Sequence, residues 1–171
     1  FSTEGKATRF NEGQARAMGR TARGVRGINL ASGHNLISLI VPKDSGRILT
    51  VTENGYGKRT ENAEFPAKGR GGKGVIAMST SERNGALVGA VQVWDGDEMM
   101  LISNQGTAVR TRVDEVSLLG RNTQGVRVIR TRDGEALVSV SRIAEDDDAA
   151  EPVQPVVTDE NSDSGSNETK E

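Results

Sequence analysis

A seven-residue frame, Gly-Arg, three residues, then Gly-Val, occurs three times in this chain: Gly19 to Val25, Gly69 to Val75 and Gly120 to Val126. Fourteen residues before each opening glycine stands another glycine (Gly5, Gly55, Gly106), and four residues after that one an arginine (Arg9, Arg59, Arg110). The whole set recurs at steps of 50 and then 51 residues. Self-similarity at that period specifies a repeat architecture. Each copy is one supersecondary unit that cannot seal its own apolar face, and recurrent loops fall on a common side.

Each copy offers four short strands. The first is apolar (48–52 and 99–103) and runs into a glycine turn at Asn54-Gly55 or Gln105-Gly106. A hairpin turn needs a positive φ, which glycine adopts without strain. The second strand carries Lys6 and Arg9, Lys58 and Arg59, or Arg110 and Arg112. A polar connection and the Gly-Arg loop follow. The third strand is expected at 25–30, 75–79 and 126–131, and the fourth at 36–41, 87–93 and 137–143, where apolar residues alternate or run on as in a buried strand. Only Val113 to Leu119 has any helical spacing, and only for a turn or so.

Four antiparallel strands per unit with no helix between them fit an all-β, propeller-like array of four-stranded blades at about 1–46, 47–97 and 98–143. A composition of 34% hydrophobic and 3% aromatic residues suits thin layers, each covered by its neighbour, better than one large core. Three blades do not close a ring, and Phe1-Ser2-Thr3 matches only the end of a first strand, so the chain reads as a piece of a longer polypeptide. From residue 144 the pattern stops. Residues 144–171, rich in acids, serine and proline, read as a disordered acidic tail.

The net charge of -2 conceals a partition. Residues 144–171 hold ten acids against the single base Lys170, leaving the other 143 residues with 21 bases and 14 acids, a balance of +7. A basic body with an acidic tail is the asymmetry of a polyanion binder. There is no cysteine, which excludes disulfides and thiolate metal sites and fits a reducing cytoplasm. No apolar run approaches the ~20 residues that span a bilayer, and no membrane partner is expected.

A loop bounded by two glycines can turn its amides outward as an anion nest, and an arginine beside it adds bidentate contacts to phosphate oxygens. The candidate backbone-binding residues are therefore Arg20, Arg23, Arg70, Lys73 and Arg121 on the loops, with Arg9, Lys58, Arg59, Arg110 and Arg112 on the second strands behind them. The loop glycines are Gly19, Gly24, Gly69, Gly74, Gly120 and Gly125. An evenly stepped track of cations suits a bent duplex, and the scarcity of aromatics argues against single strands, whose bases stack on rings. With no recognition helix, binding is expected to depend on phosphates and on how easily the DNA bends.

Sharper motifs do not hold. Gly69, Gly71 and Gly74 spell G-x-G-x-x-G but lead into a strand, and no Ser or Thr follows Lys73 as a Walker loop requires. His34, with no cysteine and no second histidine, reads as a turn residue. Tyr56 occupies a slot held by Lys6 and Thr107 in the sibling copies, so a nucleophilic role is disfavoured, and Asp95-Gly96-Asp97 reads as a hairpin turn. Asn167-Glu168-Thr169 matches a glycosylation sequon that has little meaning without a secretion signal. No catalytic or metal-ligating residue is assigned.

Arg110-Thr111-Arg112-Val113 and the run Leu118-Leu119-Gly120-Arg121-Asn122-Thr123-Gln124-Gly125-Val126, with Gly85 to Val93 upstream, resemble the last blades of the C-terminal domain of DNA gyrase A subunits over residues 1 to about 143. The acidic tail sits where such a domain carries one. The resemblance implies a β-pinwheel whose blades exchange strands, and a bacterial cytoplasmic, nucleoid-associated protein. It implies that double-stranded DNA wraps the basic rim so that an ATP- and Mg²⁺-dependent complex can introduce negative supercoils. The partners implied are the gyrase B subunit, with the remainder of the gyrase A polypeptide, in an A2B2 heterotetramer. ATP, Mg²⁺ and the catalytic tyrosine belong to regions outside this segment, which needs no cofactor. The family's box, Gln-Arg-Arg-Gly-Gly-Lys-Gly, is matched in part by Lys68 to Gly74, as a relic of the repeat. Two alternatives stay open: the related disc of the topoisomerase IV counterpart of gyrase A, and a protein-binding propeller, although Trp94 is the only tryptophan.

Ten tethered acids can compete with phosphate for the rim through their effective concentration. Deleting residues 145–171 is expected to tighten duplex binding at low salt; equal affinity of the two chains in a paired titration would remove the idea.

Overall fold

A computed structural model describes residues 1–145; from residue 146 onward the expected tail lies outside the described residues. The strands are β1 (Lys6–Ala7), β2 (Arg47–Thr52), β3 (Tyr56–Glu61), β4 (Val75–Ile76), β5 (Leu87–Val93), β6 (Glu98–Ser103), β7 (Ala108–Arg112), β8 (Val126–Arg127) and β9 (Leu137–Ile143). Single turns of 3-10 helix at Glu12–Gln14, Asn62–Glu64 and Val113–Glu115 occupy equivalent places in the three repeats, the last where the sequence shows its brief helical spacing. All pairings between named strands are antiparallel.

The sheets cross the repeat boundaries. One has the order β5-β2-β3-β8, in which three strands belong to the second repeat and β8 to the third. β1 of the first repeat pairs with β4 of the second, and the third repeat forms a three-stranded sheet, β7-β6-β9. The registers are one repeat apart: Ala7 opposes Val75 as Gly57 opposes Val126. Each expected third strand thus completes the sheet of the repeat before it, and it is shorter than expected. After two paired residues the chain hooks around the hairpin turn of that preceding repeat. The carbonyl of Gly5 accepts from the amides of Ala77 (2.8 Å) and Met78 (3.0 Å), and that of Gly55 from Val128 (2.9 Å) and Ile129 (3.2 Å).

Glycine is required at these two turns. Gly5 and Gly55 both have φ of 80°. A Cβ on Gly5 would stand 2.2 Å from the Met78 carbonyl oxygen, and one on Gly55 2.4 Å from that of Ile129. The spacing of glycine noted in the sequence therefore records both a turn and a docking site for the next repeat.

The first repeat is less regular. Residues 25–30 and 36–41 form no strand beyond a single bridge between Ser2 and Leu36. Phe1 and Ser2 stand where the ends of β2 and β6 stand in the other repeats; the Phe1 amine donates to the Ser38 carbonyl and the Ile37 amide to that of Phe1 (both 2.9 Å). Leu39 and Val41 are 87% and 80% exposed.

Burial is layered. The largest cluster, Leu49, Val51, Val93, Met99, Leu101, Val113, Val116, Leu137 and Val140, lies between the second and third sheets. Gly89 lets these sheets approach: a Cβ there would meet Val140 Cγ1 at 2.4 Å. Ala7, Ile48, Phe65, Ala77 and Ala90 form a second cluster toward the first repeat, with Phe1 packed edge-on against Phe65 at 5.8 Å. Each fully buried Val, Leu or Met contributes about 1.5–3 kcal/mol. Asp95-Gly96 is a turn, as expected, but it carries the chain from β5 to β6 in a different sheet. Asp97 there is buried, accepts from the Trp94 amide (2.7 Å) and takes two hydrogen bonds from Arg142 (2.5 and 2.9 Å).

Gly134 shares the left-handed conformation (φ 74°) but faces open space. Gly55→Ala should therefore cost about 1–3 kcal/mol more than Gly134→Ala in urea denaturation, the excess reporting the clash with the Ile129 carbonyl.

Candidate nucleic-acid interface

The second and third Gly-Arg loops are each held by the repeat before. In the second loop the Arg70 amide donates to Gln14 Oε1 (3.0 Å), and its guanidinium to the carbonyls of Gln14 (3.0 Å) and Arg26 (3.3 Å). In the third, the Arg121 amide donates to Glu64 Oε2 (2.9 Å) and its guanidinium to the Ile76 carbonyl (2.6 Å). Gln14 and Glu64 are equivalent positions, as are Arg26 and Ile76. Bonds also run the other way: Asn29 donates to the Gly72 carbonyl (2.8 Å) and Ser79 to that of Thr123 (3.0 Å). The second and third loops thus each lean on the segment leaving the loop before, and the three make one contiguous line.

The glycines divide by role. Gly24, Gly74 and Gly125, which close the loops, are left-handed (φ 81°, 76° and 75°), whereas the opening glycines Gly19, Gly69 and Gly120 are not. A Cβ on Gly74 would strike the Ala7 carbonyl oxygen (2.5 Å) and one on Gly125 that of Gly57 (2.7 Å). Gly74 and Gly125 thus serve the approach of one repeat to another, whereas Gly24 faces open space.

The second-strand cations also face protein. Arg9 donates to the carbonyls of Asn62 (3.1 Å) and Phe65 (3.3 Å), and Arg59 to that of Val116 (2.8 Å), the position equivalent to Phe65. Arg59 further pairs with Asp95 (3.0 Å) and Asp114 (3.2 Å), and its side chain is 12% exposed. Arg110 pairs with Glu98, and Arg112 lies 4.0 Å from Asp114 while remaining largely exposed.

Lys58 is buried, contrary to its placement on a cationic row facing solvent. Its Nζ donates to the carbonyls of Gly120 (2.7 Å), Arg121 and Thr123 (3.2 Å) and to Thr123 Oγ1 (3.1 Å). The ammonium plugs the inside of the third loop. Burial pulls its pKa down to about 8, with Arg121 lowering it further and Glu64 opposing. Sequence comparison among the repeats held the clue, since the equivalent residues are Thr8 and Val109.

The loop line faces solvent, and so do Arg9, Arg110 and Arg112 of the second strands. Arg20, Arg23, Arg70 and Lys73 are exposed and Arg121 half-buried. Arg20, Arg23 and Lys73 have no side-chain partner among the described residues. Arg16, Arg26 and Lys68 are also exposed beside the loops; a search by repeat register passes over Arg16 and Lys68, which do not recur, and over Arg26, which recurs as Arg127 but is Ile76 in the second repeat. Among the described residues no cluster of three or more His, Asp or Glu could hold a metal ion.

Lys58→Met should remove one donor from each of three loop carbonyls, of which that of Gly120 keeps Thr123 Oγ1 and that of Thr123 keeps the Ser79 amide, and speed amide exchange across residues 120–124. The folded pKa of Lys58, about 8, lies below its ordinary 10.5. The folded chain then binds fewer protons than the unfolded one between those values, so this group adds stability as pH rises through that window. The rise should be larger in the original chain than in Lys58→Met, which keeps only the smaller contributions of the Phe1 amine and Tyr56, when urea denaturation is compared at pH 7 and at about pH 10.

The sequence matches the family described as "DNA gyrase C-terminal domain, beta-propeller" over residues 1–43, 46–93 and 97–144. It is 59% identical over 145 residues to the DNA gyrase A subunit of Pseudomonas aeruginosa, covering 85% of this chain and 16% of that protein. The identity to the DNA gyrase A subunit of Escherichia coli K12 is 57% over 145 residues, covering 85% and 17%. The chain thus spans about a sixth of these relatives' length. Among solved structures, a DNA gyrase A C-terminal domain superposes with a TM-score of 0.77 at 32% identity, covering 84% of this chain and 49% of the other. The C-terminal domain of DNA topoisomerase IV shares the fold, with a TM-score of 0.78 at 23% identity over 85% and 46% of the two chains. With interlocked antiparallel sheets, three registered Gly-Arg loops and a family match that runs through all three repeats, this chain belongs to the DNA gyrase C-terminal domain family.

Proposed function

We propose that this chain is a DNA-wrapping segment of gyrase A, binding duplex DNA along the line of Gly-Arg loops. The observation that carries the reading is the contiguity of those loops. Arg20 with Arg23, Arg70 with Lys73, and Arg121 follow one another at the stride of the repeat, and Arg20, Arg23 and Lys73 on this line have no protein partner among the described residues. Phosphates are recognised there by charge and by guanidinium geometry, and the duplex must bend to follow successive blades. The cations already committed to neighbouring repeats, Arg9, Lys58 and Arg59, hold the line in place; Arg112 remains exposed enough to add a contact.

In this role the segment does no covalent chemistry. It presents DNA to the rest of gyrase A, together with gyrase B, in an A2B2 complex that uses ATP and Mg²⁺ to introduce negative supercoils in the bacterial cytoplasm, at the nucleoid. The identity to gyrase A proteins, set against a likeness in fold to topoisomerase IV, favours the gyrase role.

A salt series with a linear duplex tests the proposal. With ~6 phosphates contacted, log K should fall against log salt with a slope of about -5, and affinity should drop about a thousandfold between 50 and 200 mM salt. Arg23→Ala with Lys73→Ala should weaken binding and bring the slope about 2 closer to zero. Lys58→Met should leave the slope unchanged. Absence of duplex affinity at any salt would point to a protein-binding propeller.

A further inference from the structure

Arg83 and Arg127 converge on the phenol of Tyr56, and the geometry points to a site there for one phosphate group, apart from the Gly-Arg loops. Tyr56 is 3% exposed and opens β3, next to the turn at Gly55. Its oxygen accepts from Nε of Arg83 (3.2 Å) and from a terminal nitrogen of Arg127 (2.8 Å). Both guanidinium carbons lie against its ring, 5.0 and 5.2 Å from the centroid. Both arginines are exposed, and neither has a carboxylate partner among the described residues.

Two guanidinium groups bonded to one neutral oxygen repel each other, and a phenol cannot cancel their charge. Each guanidinium carries five N–H donors, of which the phenol engages only one, so most remain for another acceptor. The planar fork of arginine matches phosphate oxygens, and an anion shared by two forks removes the repulsion as it takes up their donors. Stacking on the ring and the shared phenol hold both side chains in advance, so little rotamer freedom is lost when the anion arrives.

The backbone beneath is fixed as well. Arg127 is the cross-strand partner of Tyr56 in the pairing of β8 with β3. Arg83 is carried by a turn that the Gly85 amide closes onto the Ser81 carbonyl (2.8 Å). The Asn54 side chain donates to the carbonyls of Glu82 (3.2 Å) and Arg83 (3.3 Å). Buried Asn84 donates to the carbonyls of Ser79 (2.8 Å) and of Gln124 in the third loop (3.2 Å). The site is thus tied to the third loop without belonging to the repeat. The equivalent cross-strand pair between the first two repeats is Lys6 with Ile76, and Lys6 is paired with Glu4 (2.7 Å).

The phosphate group could come from the backbone of a duplex lying on the loops or from a free phosphate ion; only the first source rests on the wrapping reading. Inorganic phosphate, titrated into the full chain against chloride at equal ionic strength, should move the NMR signals of the Arg83 and Arg127 Nε–H groups along one shared saturation curve. Arg83→Gln should weaken the response of Arg127 about tenfold, and Arg127→Gln that of Arg83, since each variant loses charged hydrogen bonds to the ion. Tyr56→Phe, which keeps the ring and loses the oxygen, should weaken both while circular dichroism stays the same. No phosphate-dependent shift, separate curves for the two arginines, or a full response in either glutamine variant would overturn the inference. With a linear duplex, Arg83→Gln combined with Arg127→Gln should bring the salt slope about 1 closer to zero, because the two arginines serve one phosphate. A change of about 2 would mean two phosphates and overturn the shared site. An unchanged slope beside a clear phosphate response assigns the site to the free ion. If the unaltered chain has no duplex affinity the wrapping reading fails, while the phosphate titration still decides this site.

Discussion

The fold depends on a short length of backbone pairing between neighbours: the two residues after each of the later Gly-Arg loops lie against the second strand of the repeat before, then hook around its turn glycine. The carbonyls of Gly5 and Gly55 each take two amides from the incoming chain. That approach leaves no space for a Cβ on four glycines, two at the turns and two at the loop exits. The order of the sheets, the position of the loops and the sealing of the apolar layers all follow from it. Without it, the clusters around Ile48 and Tyr56 would lose Ala77 and Met78 from one side.

The strands at 47–52, 56–61, 87–93, 98–103 and 137–143 were legible because alternation and turn glycines fix them locally. Which sheet a third strand enters was not legible from periodicity. Shifting a strand into the neighbouring unit leaves the residue pattern of a regular repeat unchanged, so only the likeness to a strand-exchanging family pointed to it. The first repeat misled in another way. Residues 36–41 have the composition of a buried strand, but Leu39 and Val41 lie beyond the residues that bond to Phe1 and remain exposed.

The candidate site divides along similar lines. The exposed loop cations were legible because a glycine-rich polar loop has no core to enter. The second-strand row looks like cationic surface in the sequence because an arginine that staples the next repeat's carbonyls recurs with the same period as one that awaits a phosphate. Arg9 and Arg59 are staples in this sense. Lys58 shares its face of β3 with buried Tyr56 and Thr60, and its uncharged siblings Thr8 and Val109 set it apart from the row of cations. Satisfying a buried ammonium takes several acceptors at once, and the turn of the third loop gathers four oxygens around it.

That ammonium has a mechanical consequence for the array. The third loop is pinned from within, whereas the second has only Thr8 at the matching place. A load applied across these two loops would therefore meet a firm anchorage at the third and a softer one at the second, an inequality that the near-periodic sequence conceals.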